Sequence, residues 1–419
     1  MSEWKTKPLS DVAKVIDSLH KTPTYADYGF PMVRVTDIQG GYLELSGTFK
    51  VSEDTYEEFS KKHKPKHGDL VFSRVGTYGS VSFVKNSTPF CLGQNTVFIV
   101  PKINPYFLFY FLNSPYAHHQ INCFATGSTQ KTISLASIKS IEVFTPPQEE
   151  QENIASTLSC LDRKISNLRE QNETLERIAQ TLFKHWFVDF EFPNEDGKPY
   201  KSSGGEMVRS ELGEIPAGWN VGKLGEVADV KSSKRIFLSE YVELGIPFYR
   251  SKEIIELSSG QEISTLLYIS EERFREIESK FGAPEVGEIL VTSVGTIGVT
   301  YIVSSRDKFY FKDGNLTWIK NFRGGFNGVI VYYWLKSDSA RNQIEQNTIG
   351  STQKALTIQA LSGLNIILSD SKVLSRYRDF VESIHNKRES NTQKIQTLTK
   401  ARDVLLPKLM SGKLRITAS

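Results

Sequence analysis

The sequence is poor in cysteine, has little net charge and contains no long hydrophobic run. Its three cysteines, among 419 residues, are odd in number and lack the spacing of zinc ligands, which favours a reducing compartment over a disulfide framework. The longest apolar run, residues 106–112, is far shorter than the roughly 20 residues that span a bilayer. The first ten residues are mostly polar or charged, unlike a secretory signal. We therefore expect a cytoplasmic protein with no membrane partner.

Motifs for catalysis are also missing. The sequence has no glycine-rich phosphate loop that ends in Gly-Lys-Ser/Thr, so hydrolysis of ATP by this chain is not expected. It has no Asn-Pro-Pro-aromatic tetrad of the kind that amino-methyltransferases use, because residues 145–148 lack both the amide and the ring. Glu195, Asp196 and Lys198 resemble a nuclease cluster only faintly, and their stretch is not duplicated. We predict no catalytic residue, no metal and no cofactor in this chain.

The bulk composition describes an ordinary globular protein. An apolar fraction of 39% and a charged fraction of 24% are typical of such proteins, and a net charge of +3 creates no overall basic field. A chain of this length exceeds one hydrophobic core and is expected to form two or three domains.

What the sequence does contain is an internal duplication. Gly127-Ser128-Thr129-Gln130-Lys131 recurs letter for letter at residues 350–354, and Trp4 corresponds to Trp219. Residues 75–79, Val-Gly-Thr-Tyr-Gly, correspond to residues 294–298. The loops at residues 23–36 and 231–252 share little beyond Gly-x-Pro-x-x-Arg. Two copies with the same scaffold and different surface loops would recognise two different targets.

Each copy begins with a mixed α+β part. Short β-branched and aromatic segments at residues 69–73 and 96–100 predict strands. Residues 52–62 and 270–280 begin with Ser and acidic residues, which predicts helices, and residues 105–112 and 328–335 predict short buried helices. Residues 192–213, rich in Gly, Ser and charge, predict a linker.

Each copy ends in a heptad pattern typical of paired helices. Only Asn172 interrupts the first apolar seam, whereas Arg388, Asn391 and Arg402 interrupt the second. The alternative is that each helix packs only on its own domain. We favour an antiparallel pair, which would place the globular parts at opposite ends. The predicted seam consists of Ile154, Leu158, Leu161, Ile165, Leu168, Leu175, Leu182, Val381, Ile384, Ile395, Leu398, Leu405 and Leu409.

Several duplicated loops carry polar groups suited to nucleic acid. A glycine-led loop exposes backbone N–H groups, and hydroxyl and lysine side chains suit phosphate oxygens. The alternative for the repeated five-residue loops is a structural turn, and for the Gly-x-x-Gly segments a hairpin turn. The candidate DNA-binding residues are Arg34, Arg74, Thr77, Tyr78, Ser128, Thr129, Gln130, Lys131, Arg250, Thr296, Ser351, Thr352, Gln353 and Lys354.

The chain resembles the DNA-specificity subunit of type I restriction-modification enzymes almost end to end. The resemblance is carried by the two five-residue loops, by residues 146–151 leading into the first helix, by residues 212–219 opening the second copy and by residues 406–413. One departure is that residues 369–372, Ser-Asp-Ser-Lys, replace the Pro-Pro-Gln-Glu entry, which predicts a less sharply defined start for the second helix.

The resemblance implies a non-catalytic α+β protein with a pseudo-twofold duplication. It implies target recognition domains at residues 1–147 and 196–370, separated by long helices within residues 148–195 and 371–419 that form an antiparallel coiled coil. Each domain would bind half of a bipartite site on double-stranded DNA, with the helices as a ruler between half-sites. Two modification subunits would bring S-adenosylmethionine, and restriction subunits using ATP and Mg²⁺ can join them.

Two other functions stay open at this point. The heptad helices and the globular parts could form a scaffold that binds only proteins. An enzyme acting alone is the least favoured alternative, because the catalytic motifs are missing.

Overall fold

The chain forms two compact units that share a pair of long helices. The computed structural model describes residues 4–127, 130–261, 263–350 and 354–416. The first unit comprises Met1–Asn167 and Ile395–Ser419, and the second comprises Leu168–Lys394. Each long helix therefore contributes one part to each unit.

The first unit contains strands β1–β9 and short helices α1–α5. The strands are Lys5–Pro8, Ala13–Asp17, Phe30–Val33, Phe49–Val51, Leu70–Ser73, Val81–Phe83, Cys91–Leu92, Thr96–Pro101 and Glu142–Thr145. The helices are Leu9–Val12, Glu53–Ser60, Pro105–Leu112, Pro115–Phe124 and Leu135–Lys139. They are followed by the long helix α6, Gln148–Phe187.

The second unit repeats this order with additions. Its strands β10–β21 are Met207–Ser210, Gly213–Pro216, Asn220–Lys223, Asp229–Lys231, Tyr241–Val242, Ile246–Tyr249, Tyr268–Ile269, Ile289–Thr292, Thr300–Ile302, Tyr310–Phe311, Leu316–Lys320 and Asn365–Leu368. Its short helices α7–α12 are Leu224–Val227, Ser251–Ser258, Glu271–Phe281, Gly328–Leu335, Asp338–Gln346 and Ile358–Ser362. The second long helix, α13, is Ser371–Met410.

The sheets of the two units have matching topology. A four-stranded antiparallel sheet in the order β2-β8-β5-β6 corresponds to β13-β20-β17-β18. The pair β1-β9 corresponds to β12-β21, and β4-β3-β7 corresponds to β16-β15-β19, to which β14 adds an edge strand. The duplication visible in the sequence is therefore a duplication of strand order.

Most of the predicted elements are present with shifted ends. The buried helices at residues 105–112 and 328–335 have the predicted bounds. Ser52 and Ser270 are N-caps instead of helical residues, because their side chains accept hydrogen bonds from the backbone N–H groups of Thr55 and Arg273. The capped helices therefore begin one residue later than predicted.

The prediction of a linker at residues 192–213 is wrong. Phe192 is buried, and its ring stacks on Trp219 at 4.8 Å and on Tyr200 at 4.6 Å between ring centroids. Strand β10 then pairs with β11 as an antiparallel hairpin. Because aromatic burial and strand pairing hold it, this segment is a folded part of the second unit.

The two long helices pack against each other within each unit. In the first unit, Ile154 and Leu158 of α6 share a buried cluster with Leu409 of α13. In the second unit, Ala179 and Phe183 of α6 share another with Tyr377 of α13. Early residues of one helix meet late residues of the other, so the pairing is antiparallel.

The start of α13 differs from the prediction. The carboxylate of Asp370 accepts hydrogen bonds from the backbone N–H groups of Lys372 at 2.8 Å and Val373 at 3.3 Å. This is the geometry of an N-cap, so the prediction of a less sharply defined start is wrong. Asp370 replaces the entry sequence of the first helix with a side-chain cap.

Among the helices of the described residues, none has a stretch that is long and apolar enough to cross a bilayer.

The packing of the helix pair predicts a localised stability effect. We expect Tyr377→Ala to lower the free energy of unfolding of the second unit by about 3–5 kcal/mol, because Tyr377 is fully buried against the rings of Phe183, Trp186 and Phe187. Urea denaturation followed by tryptophan fluorescence measures this change. Phe380→Ala on the same helix is the control and should cost less than about 1 kcal/mol, because Phe380 is 58% exposed. Equal costs for both variants would contradict the packing described.

Candidate functional site

Two duplicated motifs that are distant in the sequence lie side by side in the first unit. The Gly-Thr-Tyr-Gly segment, residues 76–79, is the turn of the β5–β6 hairpin, as one alternative had predicted. On either side of the first five-residue loop, Thr126 pairs with Thr132 in antiparallel fashion. The two motifs are joined because Val75 pairs with Thr132 and the N–H of Ile133 donates to the carbonyl of Arg74 at 3.0 Å.

The second unit builds the same surface from its own copy. The turn at residues 295–298 connects β17 and β18, and Ile349 pairs with Ala355 around the second five-residue loop. Val294 pairs with Ala355, and the N–H of Gly295 donates to the carbonyl of Lys354 at 3.3 Å. We call each assembly of a hairpin turn and the described residues of the neighbouring five-residue loop a double-turn surface.

The side chains of the double-turn surfaces point largely into solvent. Gln130, Lys131, Thr296 and Lys354 are exposed. Lys131 lies with its ammonium group 6.0 Å from the centre of the Tyr78 ring. The remaining predicted loop residues, Ser128, Thr129, Ser351, Thr352 and Gln353, lie outside the described residues.

Hydrogen bonds fix the first hairpin turn to its neighbours. The hydroxyl of Thr77 donates to the carbonyl of Val35 at 2.8 Å, and the hydroxyl of Tyr78 donates to the side-chain oxygen of Asn122 at 3.0 Å. The first bond places the turn beside the segment that follows Arg34. Arg34 therefore belongs to the same region of the first unit as the double-turn surface.

Arg34 and Arg250 are held by carboxylates in the same way. Arg34 donates from Nε and Nη2 to Asp37 at 3.1 Å each, and Arg250 donates from the same atoms to Glu253 at 3.2 and 2.6 Å. These hydrogen bonds to the carboxylates raise the pKa of both arginines. Each arginine thus keeps free N–H donors in a fixed direction, but the neighbouring carboxylate cancels most of its long-range attraction for phosphate.

Arg74 has a different environment and is not shared by the copies. Its Nη1 contacts Asp17 at 3.1 Å and its Nε donates to the carbonyl of Ile133 at 3.2 Å, which ties the double-turn surface to strand β2. Ser293 stands at the corresponding position and is buried. In the first unit, the fork of Arg74 is largely occupied by protein.

The predicted seam residues are all buried or half-buried on the long helices. The buried ones are Ile154, Leu158, Ile165, Leu168, Val381 and Leu409. The half-buried ones are Leu161, Leu175, Leu182, Ile384, Ile395, Leu398 and Leu405.

The polar interruptions of the seam find partners across the pair. The amide nitrogen of Asn391, which is fully buried, donates to the oxygen of Asn172 at 3.0 Å. Arg402 contacts Asp162 at 2.9 Å, and Tyr110 donates to the same carboxylate at 2.6 Å.

Arg388 is the third interruption, and it forms an ion pair with Glu176. Lys336 also contacts Glu176, at 2.7 Å. Burial opposes ionisation of Glu176, but the two cations outweigh it and hold the pKa of Glu176 below its ordinary value. The helix pair is thereby attached to the globular part of the second unit through a half-buried charge cluster.

The carboxylates that pair with the arginines were not among the residues predicted from the sequence. Asp37 and Glu253 both follow the Gly-x-Pro-x-x-Arg arginine by three residues, which was a visible signal. Asp162 and Glu176 are adjacent to seam positions, so only their partners across the pair distinguish them from surface carboxylates. Within the described residues, no group of three or more His, Cys, Asp or Glu side chains could hold a metal ion.

Comparison with known proteins finds one family for the whole chain. The family model described as the type I restriction modification DNA specificity domain matches residues 1–177 and 216–400. The Type I restriction enzyme MjaIX specificity subunit of Methanocaldococcus jannaschii is 28% identical, with 99% of this chain and 94% of that protein covered. The HindI specificity subunit of Haemophilus influenzae is 23% identical over 99% of this chain and 100% of its own length. The crystal structure of the S subunit of the type I restriction-modification system of M. genitalium has a similar fold, with a TM-score of 0.59, 16% identity and coverage of 100% of this chain and 97% of that one.

Proposed function

The chain belongs to the family of type I restriction-modification DNA specificity subunits, and on that premise we propose that each unit reads one half of a bipartite DNA site. Proteins of this family are DNA-recognition subunits without catalytic activity of their own. The observation that carries the proposal is the double-turn surface, built twice from the same motifs, together with a fixed arginine in each unit. Two similar surfaces on one chain suit two half-sites on one duplex.

In this proposal, the shared residues of the double-turn surfaces contact the DNA backbone. Lys131 and Lys354 would approach phosphates, and the turn N–H groups and Thr77 and Thr296 would add donors. The arginines at positions 34 and 250 would contribute directional hydrogen bonds more than net charge, because their carboxylate partners remain attached. Base recognition then falls to side chains that differ between the copies.

We further propose that the long helices set the distance between the half-sites. Both helices are continuous over 40 residues, which corresponds to about 60 Å at 1.5 Å per residue. The ion pair between Asp162 and Arg402 and the Asn172–Asn391 hydrogen bond allow one antiparallel register. With the register fixed, the length of the helices would fix the distance between the two half-sites and so the number of base pairs between them.

The proposal includes two modification subunits that carry S-adenosylmethionine and methylate adenine, and restriction subunits that use ATP and Mg²⁺. In the second unit, Ile178 is 50% exposed and Phe380 is 58% exposed. Each immediately precedes a fully buried residue of its helix, Ala179 or Val381, which share one buried cluster, so both lie on the same edge of the antiparallel helix pair. This apolar edge suits docking of one modification subunit.

The first test concerns the contacts with phosphate. We expect Lys131→Gln and Lys354→Gln each to weaken binding to the duplex by similar factors for all sequences and to reduce the slope of log affinity against log salt by about 1. Binding is measured with the chain and its modification subunits on a duplex whose site is identified by profiling methylated adenines. Lys64→Gln, at an exposed lysine paired with Glu57, is the control and should leave the slope unchanged. Unchanged slopes for both loop variants would contradict the proposed contacts, and absence of any DNA binding would favour a protein scaffold.

The second test concerns the helices. Deletion of residues 164–170 together with residues 393–399 removes one heptad from each helix and keeps the polar pairs on either side. We expect the methylated site to keep both half-sites but to have a shorter spacer, by up to about three base pairs for about 10 Å of helix. Methylation profiling gives the half-sites and the spacer together. An unchanged spacer in a folded, active complex would show that the helices do not set it.

The third test concerns docking. We expect Ile178→Asp combined with Phe380→Asp to remove one of the two modification subunits, because the charges would be buried without partners at the interface. The mass of the purified complex in light scattering reports the number of subunits. Val286→Asp is the control, since Val286 is 66% exposed in the second unit but lies outside the two long helices. A full complement of subunits on the double variant would place docking elsewhere.

A further inference from the structure

The two copies fill one corresponding space differently. Helices α4 and α11 occupy the same place in the element order, and each follows a serine N-cap, Ser114 or Ser337. Strands β9 and β21 pair with the first strand of their copy, β1 and β12. By this correspondence, Tyr116 of the first unit matches Ser339 of the second, and Phe144 matches Ile367.

In the first unit, aromatic rings occupy this space. The ring of Tyr116 packs on Phe144 with centroids 4.5 Å apart and on Phe111 with centroids 6.0 Å apart. Phe144 also contacts Phe111 at 5.7 Å. Tyr116 remains 40% exposed, so it covers the space from the outside.

In the second unit, the smaller side chains leave a pocket. Ser339 and Ile367 line a pocket of about 40 Å³ that opens to solvent and adjoins a second opening of about 240 Å³. Its walls are apolar and include rings or branched side chains of Phe183, Phe187, Trp334 and Leu374. An apolar wall of this kind is the usual lining of a site for a hydrophobic or aromatic group.

The mouth of this pocket is lined by charged side chains, three of them basic and one acidic. A second opening shares Phe183, Val188, Ser337 and Ser339 with the first, so the two form one continuous groove. The charged residues along the second opening are Lys184, Lys336, Arg341 and Asp338.

Two of these cations already have carboxylate partners. Lys184 contacts Asp189, and Lys336 contacts Glu176, each at short distance. Within the described part of the second unit, Arg341 has no carboxylate within ion-pair distance and is exposed. An acidic group placed beside the pocket would therefore find a cation available.

We propose that this groove, which we call the aromatic socket, receives an aromatic side chain of a partner protein whose neighbouring residues are acidic. The first unit supplies the precedent, because its own Tyr116 ring fills the matching space. Apolar walls favour the ring, and the unpaired guanidinium of Arg341 favours a flanking carboxylate. The inference does not depend on recognition of DNA.

The experiment uses the full chain and short synthetic peptides as probes. Three peptides with acetylated and amidated ends are compared. Their central residue and flanking residues are tyrosine between glutamates, alanine between glutamates, and tyrosine between glutamines. Free indole is the fourth probe. We expect the tyrosine–glutamate peptide to bind at least about tenfold more tightly than the alanine peptide, because only the ring buries apolar surface. It should also bind more tightly than the glutamine-flanked peptide at low salt and lose that advantage at high salt. Fluorescence of Trp334 and saturation-transfer NMR report binding.

Two variants locate the binding. Ser339→Tyr places in the socket the side chain that the first copy has at this position. It should lower the affinity for the tyrosine–glutamate peptide at least about tenfold and leave the affinity for DNA unchanged. Arg341→Glu leaves the pocket intact. It should lower the affinity for the tyrosine–glutamate peptide and leave the affinity for the glutamine-flanked peptide unchanged. If Ser339→Tyr does not fold, as judged by circular dichroism, Arg341→Glu decides the matter alone.

Four outcomes would overturn the inference. The first is equal affinity of the tyrosine and alanine peptides. The second is unchanged binding to a folded Ser339→Tyr variant, and the third is unchanged discrimination between the peptides by Arg341→Glu. The fourth is binding of indole with no gain from flanking carboxylates, which would make the groove a site for small molecules.

Discussion

The structure depends on the matching of polar side chains across the long helix pair. A seam of apolar residues alone can slide by a heptad with little loss of burial, but a buried amide or cation without a partner is costly. Asn391 is fully buried, and Asn172 supplies its hydrogen-bond acceptor. Arg402 meets Asp162 in the first unit, and Arg388 meets Glu176 in the second. A shift of one heptad would separate all three pairs, so the apolar seam provides adhesion and the polar pairs provide the register.

The duplication preserves backbone arrangements more closely than side-chain partners. Asp69 and Glu288 occupy corresponding positions, and each accepts a hydrogen bond from the backbone N–H three residues earlier, at 2.7 and 2.8 Å. The second partner differs, since Asp69 contacts the ring of His63 and Glu288 accepts a hydrogen bond from the indole of Trp318, each at 2.7 Å. Burial raises the pKa of Glu288. The turn is therefore conserved by its backbone contact, and the space behind it can be filled in more than one way.

Sequence reasoning reaches the features that repeat and misses those that depend on contacts between distant residues. The heptad helices and the hairpin turns follow from patterns within a few residues, and the duplication follows from the match between one half of the sequence and the other. The contacts of Val75 with Thr132 and of Arg74 with Ile133 join residues that are distant in the sequence, and no local pattern predicts them. The polar interruptions of the seam were visible, but their partners Asp162 and Glu176 lie next to the seam and have no period of their own. The linker predicted at residues 192–213 is folded because Phe192 meets Trp219, a contact that its Gly- and Ser-rich composition conceals.

If the two units read different half-sites, residues common to both copies cannot distinguish the half-sites. Arg34 and Arg250 are held by carboxylates in the same geometry, so they supply the same donors to either half-site. Discrimination must then come from exposed positions that differ. Tyr28 and Leu244 are such a pair, since each directly precedes the Gly-x-Pro-x-x-Arg segment of its copy and each is 83% exposed. The two side chains stand at corresponding positions but differ in chemistry, because the phenol of Tyr28 can form hydrogen bonds with a base edge and the isobutyl group of Leu244 cannot. The likeness of the two units thus leaves exposed loop positions that differ to distinguish the half-sites.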